Sequence, residues 1–261
     1  MAKNQSSRLA ISPEQQNFAL YVNDVDMTAN QSETIEVASW PIVSLDGLRG
    51  FKCVPSRIPP INHFQRIADQ WAWDVLDALE AMTDDQARDE IGQIELIPAS
   101  ERFYGKRLEL VMAAFTNFNP NGSLFSDGSY GVLYLQMQEA LAVSEMCLRT
   151  AEFLAATNEN PTTVQLDLYS IELTGNVADL RGIVAIRSEI LASATSIESR
   201  NFGTRLHAAG VAGALYQSAL DQGGESIAAF KTTVVSDCVG SAFLEFNWDG
   251  QSLIAIRRDN V

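Results

Sequence analysis

Basic charge is scarce in this chain. Eighteen Lys and Arg stand against 33 Asp and Glu, a formal net charge of −15 over 261 residues. Gripping a phosphate backbone takes many Lys/Arg contacts, so this balance argues against direct nucleic-acid binding. It leaves room for a small anionic ligand held by a local cluster of donors, and it suits a basic protein partner. Histidine is scarcer still, with only His63 and His207. Together with three scattered cysteines, Cys53, Cys147 and Cys238, they offer no metal-ligand spacing, so no metal is expected. Neither histidine stands in a nucleophile setting, which removes a Ser-His-Asp reading. An odd number of thiols without a CxxC pair points to a reducing compartment. No run approaches the ~20 apolar residues of a membrane helix, and "MAKNQSSRLAISPEQQ" holds no apolar core of signal-peptide length. The expectation is a cytoplasmic protein without membrane contact. Neither GxGxxG nor a Walker-type loop occurs, which disfavours Rossmann and P-loop sites.

What is present is ordinary for a globular chain: 46% hydrophobic and 20% charged residues. The length suits one domain with a moderately independent N-terminal part. Residues 1–50 are polar and mixed and read as an extension, and residues 51–261 as the main domain. Within "DQWAWDVLDALEAMTDDQARDEIG", Trp71, Val75, Leu76, Leu79 and Met82 recur at helical spacing. "RLELVMAAF" fits a helix or a buried strand, because an apolar run alone does not separate the two. A strand is expected over Gly131–Leu135, and a helix over "QEALAVSEMCLRTAEFLAAT", stopped by Asn158, Asn160 and Pro161. "TTVQLDLYSIEL" alternates as a strand does, "GNVADLRG" reads as a loop, and "RNFGTRLHAAGVAGALYQS" as helix, turn and strand. "DQGGESIAAFKT" turns into another strand, and Asp249-Gly250 closes a C-terminal hairpin. Helices mixed with short, irregularly spaced strands imply an α+β fold.

Three residues attract a chemical reading. Glu145 lies in a helix that is apolar over much of its circumference. A helical glutamate is ordinarily solvated. Turned inward, it becomes a carboxylate that needs a partner or a function. Tyr134, on the strand before that helix, offers a ring and a phenol, or else is a core tyrosine with its hydroxyl at the edge. Ser218 ends a strand beside a Gly-Gly turn, a common place for ligand contacts, although a lone serine is ordinarily structural. The stretch "NPNGSLFSDGSYGVLYLQ" packs turn residues directly before an apolar strand, which suits a chain reversal or a ligand-facing wall.

Several segments stand in one order: "RIPPINHFQRI", "LDALEAMTDDQARDEIGQIELIPASERFYG", "VMAAFTNFNPNGSLFSDGSYGVLYLQ", "EALAVSEMCLRTAEFLAAT", "VADLRG" and "GALYQSALDQGGESIAAFK". Over roughly residues 50–250 this order resembles the RES-domain family, the toxin half of bacterial RES–Xre toxin–antitoxin pairs. The resemblance implies a fold similar to ADP-ribosyltransferases, a core of short strands with packed helices. It implies NAD as substrate, cleaved at the nicotinamide–ribose bond by phosphorolysis or hydrolysis. It implies an Xre-type antitoxin as partner, and a homodimer or a toxin–antitoxin hetero-oligomer. The family is named for an Arg, a Glu and a Ser. The Glu and Ser map on Glu145 and Ser218, and the family tyrosine on Tyr134. The Arg position of "GSRFSDG" is held here by Leu124. The pocket wall implied by the resemblance is Ser123, Leu124, Phe125, Ser126 and Tyr130, with Arg149 one helical turn after Glu145. Arg149 stands where the family often has His, Leu220 where it often has Arg, and Ser226 where it usually has Cys. With the Arg replaced by Leu124, the resemblance implies weakened turnover, or a non-catalytic protein that keeps the fold for antitoxin or nucleotide binding, unless Arg149 or Arg205 reaches the same space.

Overall fold

The computed structural model of the protein describes residues 40–56, 94–117, 119–183, 196–218 and 223–260. The helix expected around Trp71–Met82, His63 and Leu220 lie outside these residues.

Seven strands form one mixed sheet: β1 (Ile42–Pro55), β2 (Leu133–Gln136), β3 (Thr162–Asp179), β4 (Gly213–Gln217), β5 (Glu225–Ala229), β6 (Val235–Trp248) and β7 (Leu253–Asn260). The spatial order is β1-β2-β5-β4-β3-β6-β7. β1 also pairs with β3 along most of its length. That pairing closes β1-β2-β5-β4-β3 into a ring, and β6 and β7 extend outward from β3. Closing the ring leaves fewer open strand edges to be protected. All neighbours are antiparallel except β3 and β4. Three described helices pack on this frame: α1 (Leu108–Thr116), α2 (Glu139–Ala156) and α3 (Ile197–Ala208). This is the α+β class. Among the described residues no helix is long and apolar enough to cross a membrane.

Some expectations change. The strands are not uniformly short: β1 and β6 run 14 residues and β3 runs 18. Bulges at Asp46/Leu48, Leu168/Tyr169 and Glu172/Leu173 let these long strands bend without losing their partners. "GNVAD" is not a loop but the end of β3. Gly175 takes a positive φ of 112° there, and Val177 and Ala178 are fully buried between β1 and β4. The expected boundary at residue 50 falls inside β1. "RLELVMAAF" resolves as helix α1, whose Val111, Met112 and Phe115 enter the core.

Period-two alternation sorts the ring strands into two faces. Leu133 and Leu135 of β2, Leu215 of β4, Ile227 of β5 and Ile171 and Leu173 of β3 join α1 in one buried cluster. Residues of the opposite parity, Tyr134, Ala214, Tyr216 and Ala228, pack with Phe125, Phe202, Leu206 and Phe230. α2 covers a third cluster through Ala142, Cys147 and Leu154 against Cys53, Leu166, Leu168 and Leu244. The outer face of β2, β5 and β4 is therefore bounded by α3 and the 119–132 loop on one side. α2 follows β2 directly and lies against β1 and β2.

Candidate functional site

The 119–132 loop is knit by its own hydrogen bonds. Gly122 N–H donates to Asn119 C=O at 2.9 Å, and Ser123 N–H to Ser126 C=O at 2.8 Å. Gly122 takes φ 80°, a region that a side chain rarely visits. The Ser126 hydroxyl donates to Tyr130 C=O at 2.6 Å, and the Tyr130 hydroxyl donates to Phe125 C=O. α3 then clamps the loop. A Cβ at Gly203 would come within 2.1 Å of Phe125 O, so only glycine admits this approach. Tyr130 stacks on His207 of α3 with centroids 3.9 Å apart.

The clamped loop meets β2 at Tyr134. Its phenol oxygen accepts the Phe125 N–H at 2.9 Å and shares a 2.8 Å hydrogen bond with the Ser123 hydroxyl. Burial raises the Tyr134 hydroxyl above its ordinary value, while the bonds from Ser123 and Phe125 pull it back. Leu124, between these two anchors, is half-buried in the aromatic cluster. The cation touching this corner is Arg200 of α3, whose Nε donates to Ser123 C=O at 3.3 Å. Arg205 instead lies with its Cζ 5.9 Å from the Phe202 ring centroid.

Two residues beyond Tyr134, Gln136 lies on the same face of β2. Its Nε2 donates to Glu145 Oε2 at 2.7 Å, and its Oε1 accepts from the Ser226 hydroxyl at 2.5 Å. Ser226 is the register partner of Gln136 on β5 and of Tyr216 on β4. The Tyr216 side chain lies beside Ser226 on the same sheet face. Burial raises the Tyr216 hydroxyl well above its usual range, and the nearby Tyr134 and Glu145 add to the effect. Glu145 does turn toward the sheet, with 24% of its side chain exposed. Its other oxygen, Oε1, is 2.7 Å from Nη2 of Arg149, which is 68% exposed. Lys52 of β1 reaches the Tyr134 C=O with its Nζ at 3.4 Å. Burial lowers its ammonium below the usual value, and Glu145 opposes that shift.

The structure thus brings Tyr134, Ser123, Phe125, Glu145 and Arg149 to one sheet face. Ser218 is buried just past β4, two residues after Tyr216, and its N–H donates to Gly224 C=O at 2.8 Å. Glu145 takes its orienting bond from Gln136. Sequence reading passed over Gln136, Tyr216, Arg200 and Lys52, and it met Ser226 only as a departure from the family pattern. Period-two spacing from Tyr134 was a signal for Gln136; nothing local in the sequence pairs Ser226 with it. Chemically, the face offers one held carboxylate, a phenol, hydroxyls and three cationic side chains at its margins. That set suits a sugar-hydroxyl and phosphate ligand better than an apolar one.

Comparisons with known proteins give the family of the chain. A family model described as the RES domain matches residues 101–249, a span that contains Tyr134, Glu145, Ser218 and the whole 119–132 loop. The protein "Uncharacterized protein y4oC" of Sinorhizobium fredii (strain NBRC 101917 / NGR234) is 26% identical over 133 residues, which is 50% of this chain and 56% of that protein. The chain therefore spans little more than half the length of this curated relative.

Proposed function

Because this chain belongs to the RES-domain family, we propose that it binds NAD and cleaves the nicotinamide–ribose bond, on a core of the ADP-ribosyltransferase type. The observation that carries this reading is the Glu145 carboxylate, held by Gln136 on the sheet face that also bears Tyr134. Breaking the bond sends its electron pair to nicotinamide and leaves positive charge on the anomeric carbon and ring oxygen. A carboxylate that accepts from a ribose hydroxyl stabilises that charge, as in glycoside chemistry. Glu145 Oε1 takes this role when the exposed Arg149 swings away, while Oε2 stays on Gln136. Tyr134 packs on the nicotinamide or ribose, and Ser218 lines the strand end beyond Tyr216. Ser123, Phe125, Ser126 and Tyr130 form the wall. Phosphate or water completes the reaction at the anomeric carbon.

Leu124 favours a second reading, a non-catalytic family member that keeps the fold for binding. A half-buried leucine in the aromatic cluster supplies no charge for a phosphate. Losing such a charged partner costs on the order of 2–4 kcal/mol, roughly 30- to 1000-fold. Among the described residues Arg200 stands at this corner, with one of its N–H groups on Ser123 C=O. In either reading the partner is a basic, DNA-binding Xre-type antitoxin, which the −15 net charge of this chain suits.

The experiment is release of free nicotinamide from NAD by the purified chain and by Leu124→Arg. Release that rises at least tenfold in Leu124→Arg and disappears in Glu145→Gln supports the enzyme. No release from either folded protein, with NAD still bound, supports the binding reading. The absence of both NAD binding and release sinks the enzyme and the nucleotide-binding reading, and leaves antitoxin binding alone.

A further inference from the structure

The hydrogen bonds behind Glu145 run in one direction, and that direction has a consequence. Gln136 Oε1 can only accept, so the Ser226 hydroxyl spends its proton there. The Tyr216 side chain flanks Ser226 across β4 and β5. The Glu145 carboxylate only accepts, so the Gln136 amide presents its NH2 end to Oε2, 2.7 Å away, and its carbonyl end to Ser226. Gln136, Ser226 and Tyr216 are 7%, 1% and 6% exposed, so water does not compete along the chain. Flipping the amide would set a carbonyl against the Glu145 carboxylate.

We infer that Gln136 is the positioning residue of the site: anchored by Ser226, it fixes the rotamer of Glu145 through Oε2, so that Oε1 alone is exchanged between Arg149 and a ligand hydroxyl. The two partners of Glu145 thus have different duties. Arg149 comes from the same helix at i+4, is largely exposed and can leave. Gln136 comes from the sheet, is buried and stays. A carboxylate held at one oxygen and open at the other meets a developing charge without first reorganising.

The catalytic part of this inference rests on the NAD reading above; the hydrogen-bond part does not, and the test separates them. In wild type, or in the Leu124→Arg background if that is faster, Gln136→Leu lowers kcat for nicotinamide release about 10- to 100-fold with KM within about threefold. Ser226→Ala gives a smaller loss, and Gln136→Leu with Ser226→Ala is no worse than Gln136→Leu alone, because Ser226 acts only through Gln136. A folded Gln136→Leu that keeps kcat within about twofold, or additive losses in the pair, overturns the inference. The second readout needs no activity. The side-chain NH2 protons of Gln136, followed by 15N NMR, exchange slowly in wild type and at least about tenfold faster in Glu145→Ala and in Ser226→Ala. Equal exchange in all three overturns the relay. Slow wild-type exchange without nicotinamide release leaves the relay standing and removes the NAD reading instead.

Discussion

The two ends of the candidate site are held by different means. At the Tyr134 end, the backbone does the holding. The Phe125 N–H, the tight turn at Gly122 and the close approach of Gly203 set the loop against β2, and aromatic rings seal it. At the Glu145 end, side chains from β5, β2 and α2 pass hydrogen bonds from one to the next. The first end depends mainly on glycine geometry and apolar packing around the one Tyr134 hydroxyl. The second depends on every polar group having its partner, because an unsatisfied buried group loses its full hydration energy. Behind both, on the opposite face of the same strands, lies the ring interior with Leu133 and Leu135, where packing alone decides.

The sharpest way to break the comparison is at Glu145. Glu145→Gln keeps the shape, since an amide still accepts from Gln136, but removes the charge. Nicotinamide release is expected to fall by about 1000-fold with little change in thermal stability. A variant that keeps its activity would deny the Glu145 end any chemical role. Leu135→Ala tests the interior instead. With 1% of its surface exposed, the residue should cost about 2–5 kcal/mol in denaturant unfolding. Gly203→Ala attacks the backbone-held end. The new methyl group would meet Phe125 O and Cα, so a loss of about 1–3 kcal/mol is expected, with faster amide exchange across residues 119–130. An unchanged loop would show that α3 yields rather than clamps. Tyr134→Phe removes one hydroxyl and strands the Phe125 N–H and Ser123 hydroxyl, at a cost of about 1–2 kcal/mol by the same unfolding measurement.

The smallest effect belongs to His207, stacked on Tyr130. Burial lowers its imidazole below the ordinary value, with Lys231 adding to the shift and Asp127 opposing it. The folded protein therefore binds this proton less readily than the unfolded chain. Stability should fall as pH drops through the unfolded value near 6.5 and level off below the folded one. His207→Gln should remove that step from a stability-against-pH curve while leaving the curve above pH 7 in place. A step that persists would assign it to another group.

Several features of the fold were legible from the chain alone, for stated reasons. The α2 helix declared itself because an apolar face repeats for five turns before Asn158, which takes φ 52° as it ends. The C-terminal hairpin followed from Asp249-Gly250, where Asp249 accepts from Gln251 and Ser252 N–H groups. Glu145 stood out as a charge on a largely apolar helix, and it does face the sheet. β3 was read too short because Gly175 and Asn176 look like loop residues, yet pairing with Leu45 and Ser44 carries the strand through them. Leu124 was legible only as a missing charge; Arg200 at the same corner belongs to a helix some 76 residues away in sequence, and no local pattern links the two.

By itself, the sequence determined which residues bury and which alternate, because hydrophobic period and turn chemistry are local properties. It determined that a carboxylate sits on an apolar helix and that the family arginine is absent. Tertiary structure alone decided that Gln136 faces Ser226 rather than solvent, that Tyr216 stands behind them, and that Arg200 rather than Arg149 or Arg205 meets the Ser123 corner. Those pairings depend on strand register and helix crossing. A shift of one residue in β5 would turn Ser226 to the other face and break the chain of hydrogen bonds, and nothing in the five residues of that strand fixes the register by itself.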